Sequence, residues 1–416
     1  MRRRIVILGA GTGGTVTANR LRRLYDEDEA SITLIDRDDR HVYQPGLLFV
    51  PFGLADVGEI VRSRKRQLRS GIDFVEDEAH SVLLDADRVR LRDGETVPYD
   101  VLVVATGVAL QPGATEGLTA AGWRESMFTF YDVPGAEQLA RALDAFDGGR
   151  LVVNLVDMPI KCPVAPLEFA FLADWYFTER GIRDRVELVY VTPLDGAFTK
   201  PVASERLAGM LADKGIDLVT EFAVGAVDGL GRRIVSWDER EVRFDLLVTV
   251  PLHEGVPLVE RSEGLGDALG FVPTDPHTLQ STVRPNVFAL GDATDLPISK
   301  AGSVTHFEGD VLTENVRRFL AGDDLEGSFD GHANCFIETG FGKALLIDFD
   351  YDTEPLPGRF PNAFGPLPLL AESRVNHLAK LMFQWVYWHA LLPGRGLPGL
   401  PTSFSLSGKE RTHVAT

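Results

Sequence analysis

The first 36 residues constrain the fold more than any other segment of the chain. An apolar run, RIVIL at 4–8, precedes GAGTGG at 9–14, a helix-forming stretch and a second apolar run, SITLID at 31–36. In this pattern Gly9 makes the turn, Gly11 lets the backbone approach a pyrophosphate, and Gly14 packs the helix on the strand. Asp36 then stands where an acid binds the adenosine ribose. We therefore predict a βαβ unit that holds a dinucleotide at the N-terminus of its helix.

Length and charge limit the other functions open to the chain. Its 416 residues allow about two or three domains. The formal net charge of −19 repels phosphates, so we expect no nucleic-acid partner and no electrostatic attachment to anionic lipid. The apolar stretch at the N-terminus is too short for a signal peptide, which predicts a cytoplasmic protein. In that compartment the two cysteines are not expected to be structural staples.

Two later segments indicate which dinucleotide is bound. YDVLVVATG at 99–107 and RPNVFALGDAT at 284–294 are strands that end in polar turns. Together with the glycine turn they resemble the family of two-dinucleotide-domain flavoproteins, which implies FAD as cofactor, with Asp292 on the ribityl chain and Lys300 near the flavin pyrimidine edge. The predicted FAD-binding residues are Gly9, Gly11, Thr12, Gly14, Asp36, Arg37, Ala79, Thr106, Gly107, Gly291, Asp292 and Lys300.

The fold class implied by this resemblance is α/β, with two Rossmann-like domains, a C-terminal hairpin and an amphipathic membrane-anchoring helix. The predicted division is an FAD-binding domain at 1–109 and 246–325, a second Rossmann-like domain at 110–245, and a C-terminal quinone and membrane region at 326–416. The second Rossmann-like unit starts with GRLVVNLVD at 149–157, but its turn, MPIKCP, has no glycine. Without glycine the backbone cannot close on a pyrophosphate, so we expect no NADH binding there.

The only two cysteines lie in this turn and in the predicted hairpin, as Cys162 and Cys335. The segments KCPVAPLEFAF and NCFIETGFGKALLIDF resemble the redox-cysteine segments of sulfide:quinone oxidoreductases. The resemblance implies that Cys162 and Cys335 are catalytic, form a disulfide or sulfur-bridged pair, and oxidise sulfide to persulfide or polysulfide sulfur while electrons pass through FAD to a membrane quinone. Such a pair needs a thiolate of low pKa beside a positive group, for which Lys161 is one candidate and a solvated surface lysine the alternative. Which cysteine bonds to the flavin stays open, with Cys335 the better candidate by family analogy.

The chain departs from many bacterial members at Phe128, in a segment where those members have a third cysteine. With two cysteines, the sulfur must leave to further sulfide, a small thiol or a carrier protein. Glu168 and His306 fall near the predicted site, but a helix-face acid and a helix-start residue explain them equally well.

The tail from 378 to 392 has apolar residues at three- and four-residue spacing, including Trp385 and Trp388. This stretch is shorter than the ~20 residues of a spanning helix, which favours monotopic insertion into the cytoplasmic leaflet; a buried core helix or a dimer interface is the alternative. By family resemblance, Lys380 and Phe383 contact a quinone from one side and Phe336 from the other. Removal of residues from about 371 onward is then expected to release the protein from membranes and to abolish quinone reduction, while sulfide still reduces the flavin.

Three other functions compete with this interpretation. The first is the flavin subunit of a sulfide dehydrogenase that uses cytochrome c, which has no use for an apolar tail. The second is a type II NADH:quinone oxidoreductase, which needs the missing glycine turn. The third is a non-catalytic flavin redox sensor. The sequence leaves a homo-oligomer open.

Overall fold

The computed structural model describes residues 2–396 and 402–410 of the chain. The segment up to residue 110 contains the glycine turn. Its helices and strands are β1 (Arg3–Leu8), α1 (Thr12–Leu24), β2 (Ala30–Asp36), β3 (His41–Val42), α2 (Val57–Ile60), β4 (Val61–Arg62), β5 (Ile72–Glu76), β6 (Ala79–Leu83), β7 (Arg88–Leu91), β8 (Thr96–Pro98), β9 (Val101–Val104) and β10 (Val108–Leu110).

The middle segment contains the glycine-free turn. Its elements are β11 (Met127–Phe128), α3 (Val133–Ala145), β12 (Gly149–Leu155), α4 (Ala165–Glu179), β13 (Val186–Val191), α5 (Pro201–Asp213), β14 (Ile216–Val219), β15 (Val224–Asp228), β16 (Arg233–Ser236), β17 (Glu241–Arg243), β18 (Leu246–Val250), β19 (His253–Gly255) and α6 (Pro257–Glu260). The last segment contains β20 (Val287–Ala289), α7 (Gly302–Ala321), β21 (Ala333–Gly340), β22 (Lys343–Phe349), β23 (Gly358–Phe360), β24 (Leu367–Leu369) and α8 (Arg374–Val386).

The first parallel sheet has the strand order β20-β9-β1-β2-β5. The strands β9 and β20 are fully buried, and β1 is buried from Ile5 to Leu8, as expected for a parallel sheet covered on both faces. Parallel strands bring their carboxyl ends to one edge, so the turns after β1, β2, β9 and β20 meet there. Ligands of open α/β sheets bind at this edge.

The second parallel sheet has the order β11-β18-β12-β13-β14. The unit β12-α4-β13 is the predicted second Rossmann-like unit, and the fold class of two Rossmann-like domains with a C-terminal hairpin is confirmed. Strand β18 pairs with β12, Leu151 facing Leu246. The predicted boundary between residues 245 and 246 therefore falls one strand too early, because an apolar strand that returns from β17 completes the second sheet before the chain leaves it.

The C-terminal hairpin pairs β21 with β22 in antiparallel register, with Cys335 opposite Ile347. Successive side chains alternate between the two faces of a strand. Cys335 accordingly packs into the main core, whereas Phe336 packs on the other face against Leu346, Phe360 and Leu369. The hairpin lies between α4 and α8, which connects the second domain to the tail.

Helix α8 has two different faces. Leu378, Leu381, Met382 and Trp385 are about half exposed or more, at 48–64% of their full surface. A π-helical turn, Tyr387–Leu391, follows α8 and changes the direction of the side chains. Trp388 and Leu392 are therefore buried, at 3% and 0%, and do not continue the exposed face as the sequence spacing predicts. In the described residues no helix has the length and apolar character that crossing a membrane requires.

The segment 402–410 lies across the C-terminal hairpin. Lys409 Nζ is 2.6 Å from Asp348 Oδ2, and Asp348 Oδ1 is 2.8 Å from His332 Nε2. All three side chains are essentially inaccessible to solvent. Removing one partner of such a buried ion pair strongly destabilises the fold, since the remaining buried charge is left without a partner.

We expect Lys409→Met to lower the free energy of unfolding by about 3 kcal/mol, because Asp348 would lose its buried cation. Chemical denaturation measures this. The control Lys343→Met removes an exposed lysine at the start of β22, the second strand of the same hairpin, and should cost under about 0.5 kcal/mol. Equal effects of the two variants would show that the buried pair does not hold the segment in place.

Candidate active site

A cleft of about 320 Å³ lies at the carboxyl edge of the first sheet. Most of the predicted FAD-binding residues line it: Gly9, Gly11, Thr12, Asp36, Arg37, Thr106, Gly107, Gly291, Asp292 and Lys300. Cys162, Glu168, Phe383 and Tyr387 line the same cleft from the second domain and the tail. Gly14, Ala79, Cys335, Phe336 and Lys380 are outside this lining.

The glycine turn has the shape that a pyrophosphate requires. Gly9 has φ +91°, and a Cβ on Gly14 would lie 1.8 Å from the Gly9 carbonyl oxygen, so helix and strand touch there. A Cβ on Gly11 would meet nothing within 4 Å, because it would project into the cleft. Thr106 Oγ1 is buried and has no hydrogen-bond partner among the described residues. Open space at a helix N-terminus and a free polar atom fit a bound dinucleotide.

We expect Gly11→Val to fold normally but to lose FAD, because the added side chain would occupy the space of the pyrophosphate. The ratio of flavin to protein absorbance after purification measures retention. Gly14→Ala is the matched comparison, since its methyl group would collide with the backbone and should destabilise the fold itself. Full FAD occupancy in the Gly11 variant would place the pyrophosphate elsewhere.

Asp36 has partners that the sequence pattern did not indicate. Its carboxylate accepts hydrogen bonds from Ala10 N at 2.6 Å and Arg37 N at 2.7 Å. It also forms an ion pair with Arg64, which lines the cleft. Arg64 lies in a basic run with no recognisable nucleotide motif, so only the fold reveals its place beside the predicted ribose site.

The glycine-free turn of the second domain is bonded to the first domain across the cleft. Cys162 has φ +49°, its N–H donates to Lys300 O at 2.6 Å, and its carbonyl oxygen accepts from Tyr131 Oη at 3.2 Å. Lys161 Nζ donates to Gln44 Oε1 and to Tyr131 O, both at 3.1 Å. The turn therefore presents a thiol and an ammonium group to the cleft where an NADH-binding turn would present glycine N–H groups.

A buried ion pair lies beside both cysteines. Glu168 on α4 pairs with Lys380 on α8, and their side chains are 3% and 10% exposed. Glu168 also accepts from Glu338 N at 2.7 Å, and Lys380 donates to Phe336 O at 3.3 Å, so both contacts fall on the strand that carries Cys335. The pair thus joins the Cys162 helix, the Cys335 strand and the tail.

Both thiols are free in this structure, without a disulfide. Burial, followed by the Glu168 carboxylate, raises the pKa of Cys162 to about 12. Burial, followed by the charge of Cys162, also raises the pKa of Cys335. Lys380 is the cation that lowers the pKa of both thiols. Burial therefore favours the protonated form of both thiols, and the pairing of the two cysteines with a thiolate of low pKa stays a prediction.

The three predicted quinone residues do not line one pocket. Phe383 lines the cleft, Lys380 is held by Glu168, and Phe336 packs on the opposite face of the hairpin from Cys335. The spacing of Lys380 and Phe383 correctly puts both on the inward side of α8. It does not reveal that a buried glutamate 212 positions earlier is the partner of the lysine.

The flavin end of the cleft contains a cluster of charged groups. Lys300 is 7% exposed and donates to the carbonyl oxygens of Asp292 at 3.0 Å and Thr294 at 2.7 Å. Burial lowers the pKa of Lys300 and raises that of Asp292. Glu308 on α7 accepts from Gly291 N at 2.6 Å, and burial raises its pKa to about 7. Glu308 was not singled out by the sequence, because an acid in a helix pattern has no distinguishing neighbour. His306 instead binds Arg20 away from the cleft lining.

The end of the tail helix reaches the glycine turn. Tyr387 Oη lies 2.7 Å from Thr12 Oγ1 and 2.6 Å from His41 Nε2. Burial lowers the pKa of His41 to about 4, so the imidazole is neutral at pH 7. The end of the tail helix therefore lines the cofactor cleft, although the outward face of the helix is exposed.

Comparisons with known proteins agree with this geometry. Residues 3–153 match the pyridine nucleotide-disulphide oxidoreductase family. The mouse mitochondrial sulfide:quinone oxidoreductase is 25% identical over 406 residues, which cover 94% of this chain and 86% of the relative. Over more than nine-tenths of its length the chain is similar to proteins named sulfide:quinone oxidoreductase. The Aquifex aeolicus sulfide-quinone reductase is 26% identical over 309 residues, covering 71% and 70% of the two chains.

The crystal structure of the sulfide:quinone oxidoreductase from Aquifex aeolicus has the same fold. It aligns with a TM-score of 0.79 and 21% identity over 95% of this chain and 93% of that chain. The cofactor of this chain is FAD, and the glycine turn and the open cleft fit a dinucleotide of this kind.

Proposed function

We propose that this protein oxidises sulfide and reduces a membrane quinone, with FAD as the electron carrier. The observation that carries the proposal is the composition of one cleft: the glycine turn, the Cys162 turn and the inward face of the apolar helix all line it. A sulfur-reactive group and a helix with an exposed apolar face thus share a single cofactor site.

The cysteine pair carries the sulfur chemistry in this proposal. Hydrosulfide attacks the bridged Cys162–Cys335 pair, one S–S bond forms and one breaks, and the products are a persulfide and a thiolate. Over the full cycle, one hydrosulfide loses one proton and two electrons and leaves one sulfane sulfur. The quinone takes up the two electrons with two protons. Because burial raises the pKa of the thiols, Lys380 is the residue that stabilises the thiolate as it leaves.

Bound FAD would supply a two-electron acceptor between the cysteines and the quinone. Gly11 and Thr12 would hold its pyrophosphate, Asp292 its ribityl chain, and Lys300 would place a cation at the pyrimidine edge. Lys161 and Lys300 are joined through the backbone contact of Cys162 with Lys300. Two cations would therefore border the flavin on the side of the thiol, where negative charge accumulates on reduction.

The tail helix supports the membrane side of the proposal. The inward face of α8 carries Phe383 into the cleft, while Leu378, Met382 and Trp385 are exposed on the outward face. We propose that the outward face enters one leaflet, on the cytoplasmic side, and that a quinone reaches the cleft past Phe383. Further sulfide, a small thiol or a carrier protein then accepts the sulfur.

Steady-state turnover tests the proposal. The holoprotein should reduce a water-soluble quinone with sulfide as donor and should show no comparable rate with NADH. Turnover with NADH alone would instead identify a type II NADH:quinone oxidoreductase. Flavin reduction by sulfide with cytochrome c but no quinone as acceptor would identify a sulfide dehydrogenase subunit, and no turnover with either acceptor would favour the redox sensor.

A further inference from the structure

An exposed group of arginines stands out in this acidic protein. The run RSRKRQLR at 62–69 is basic, although the chain as a whole has a net charge of −19. Arg62, Arg66 and Arg69 from this run are exposed, as are Arg23 and Arg395. Among the described residues, none of these five guanidinium groups forms an ion pair, whereas Lys65 in the same run pairs with Glu76. We call these five residues the arginine patch.

The buried side chain of Asn19 connects the segments that carry the arginine patch. Asn19 on α1 donates to Gln67 O at 2.8 Å and to Leu392 O at 2.6 Å, and it accepts from Arg69 N at 2.9 Å. Asn19 therefore binds the basic run to the chain that follows the tail helix. Arg23 Nη2 completes the connection by donating to Pro393 O at 3.1 Å.

Arg69 and Arg395 both repel Arg23. Burial, together with the charges of Arg69 and Arg395, lowers the pKa of Arg23. Like charges held together by backbone contacts are stabilised by an anion that bridges them. The planar guanidinium fork binds phosphate oxygens in pairs, so phosphate is the anion that such a group fits best.

The patch lies beside the end of the tail helix, whose exposed face is apolar. The guanidinium carbon of Arg62 lies 4.3 Å from the ring centre of buried Trp388, which is one turn beyond exposed Trp385. Arg395 follows the π-helical turn that ends the tail helix. Apolar side chains and unpaired arginines side by side match the interface of a lipid leaflet, where acyl chains and phosphates are also adjacent.

We propose that the arginine patch binds the phosphate headgroups of anionic lipids while the apolar face of α8 enters the acyl region. This inference rests on the membrane attachment in the proposed function and adds the lipid class to it. The net charge predicts no electrostatic attachment, but screening limits charge effects to about 8 Å at physiological ionic strength, so a local patch can act differently from the chain as a whole. The local arrangement of the five arginines, rather than the net charge of the chain, therefore determines whether anionic lipid is bound.

Sedimentation of the holoprotein with vesicles tests the inference. Binding to vesicles of phosphatidylcholine with phosphatidylglycerol should be tighter than binding to phosphatidylcholine alone, and the difference should shrink as salt is added. The double variant R66E/R69E should bind the anionic vesicles about tenfold more weakly, with binding to phosphatidylcholine unchanged. The matched control R90E/R206E makes the same change of charge at exposed arginines on β7 and α5 and should bind as the wild type does.

Three results would overturn the lipid assignment. They are equal wild-type binding to both kinds of vesicle, equal loss in the two double variants, and displacement from anionic vesicles by inorganic phosphate at matched ionic strength. Turnover with a water-soluble quinone is measured on the same samples. It should be the same in the wild type and both variants, so failure of the proposed function, with no turnover in any sample, is distinguishable from failure of the inference.

Discussion

Replacing Cys162 or Cys335 by serine is expected to lower sulfide-dependent flavin reduction by about 10³-fold or more, with FAD still bound. A serine oxygen is a poor nucleophile at neutral pH and cannot carry a persulfide sulfur. Each thiol is the only sulfur partner of the other, because the chain has two cysteines. Residues that act as a unit give non-additive effects, so each single variant and the double variant should be about equally inactive. Anaerobic stopped-flow absorbance measures the rate.

The control for this experiment is flavin reduction by dithionite, which should be normal in all three variants. A double variant much slower than either single variant would show that the cysteines act separately. A holoprotein structure with the two sulfurs on opposite sides of the flavin would contradict the pair even more directly.

The second large effect concerns Lys380. Lys380→Met should slow sulfide-dependent flavin reduction about 100-fold, because it removes the cation that lowers the pKa of both thiols. The same change leaves Glu168 buried without its cation, which costs about 3–5 kcal/mol of stability. The double variant E168Q/K380M removes both charges and should recover the stability. It should also recover part of the rate, because Glu168 raises the pKa of both thiols and Lys380 lowers it.

A pH profile separates this electrostatic role from a packing role. The rate at which iodoacetamide modifies Cys162 rises as the thiol ionises, so Lys380→Met should shift that profile to higher pH. Lys380→Arg keeps the charge and should leave the profile near that of the wild type. An unchanged pH profile in Lys380→Met would show that Lys380 does not set the pKa of Cys162. It would favour instead the quinone-contacting role that family resemblance implies.

The structure also changes what truncation of the tail should do. Removal of residues from 371 onward was expected to spare flavin reduction by sulfide. It would, however, remove Lys380 from Glu168 and Tyr387 from Thr12, both inside the site. Loss of FAD and of stability is now the expected result, and substitutions at exposed Leu378 and Trp385 are the cleaner test of membrane attachment.

Short-range patterns predicted much of the fold. The glycine turn, the strands at 101–104 and 287–289 and the hairpin at 333–349 are each specified by neighbouring residues, and parallel pairing then brings their ends to one edge. The glycine-free turn likewise predicted where a thiol would face the cofactor cleft.

The pairs that join distant segments escaped sequence reasoning. Glu168 with Lys380, Asp36 with Arg64 and Thr12 with Tyr387 are contacts between elements that approach only after the sheets form. The two tail tryptophans show a further limit: at constant helical spacing they share a face, but the π-helical turn sends Trp388 into the core. A single sequence gives no sign of that extra residue in the turn.

The most direct test of the account is the flavin spectrum of the anaerobic holoprotein during addition of sulfide, compared with addition of NADH. Stoichiometric sulfide should bleach the flavin within the dead time of a manual experiment, and addition of a quinone should restore the absorbance. NADH should leave the spectrum unchanged, because the turn at 157–163 has no glycine to receive its pyrophosphate. Rapid bleaching by NADH, with no response to sulfide, would contradict both the assignment of the cysteines and the account of the second domain.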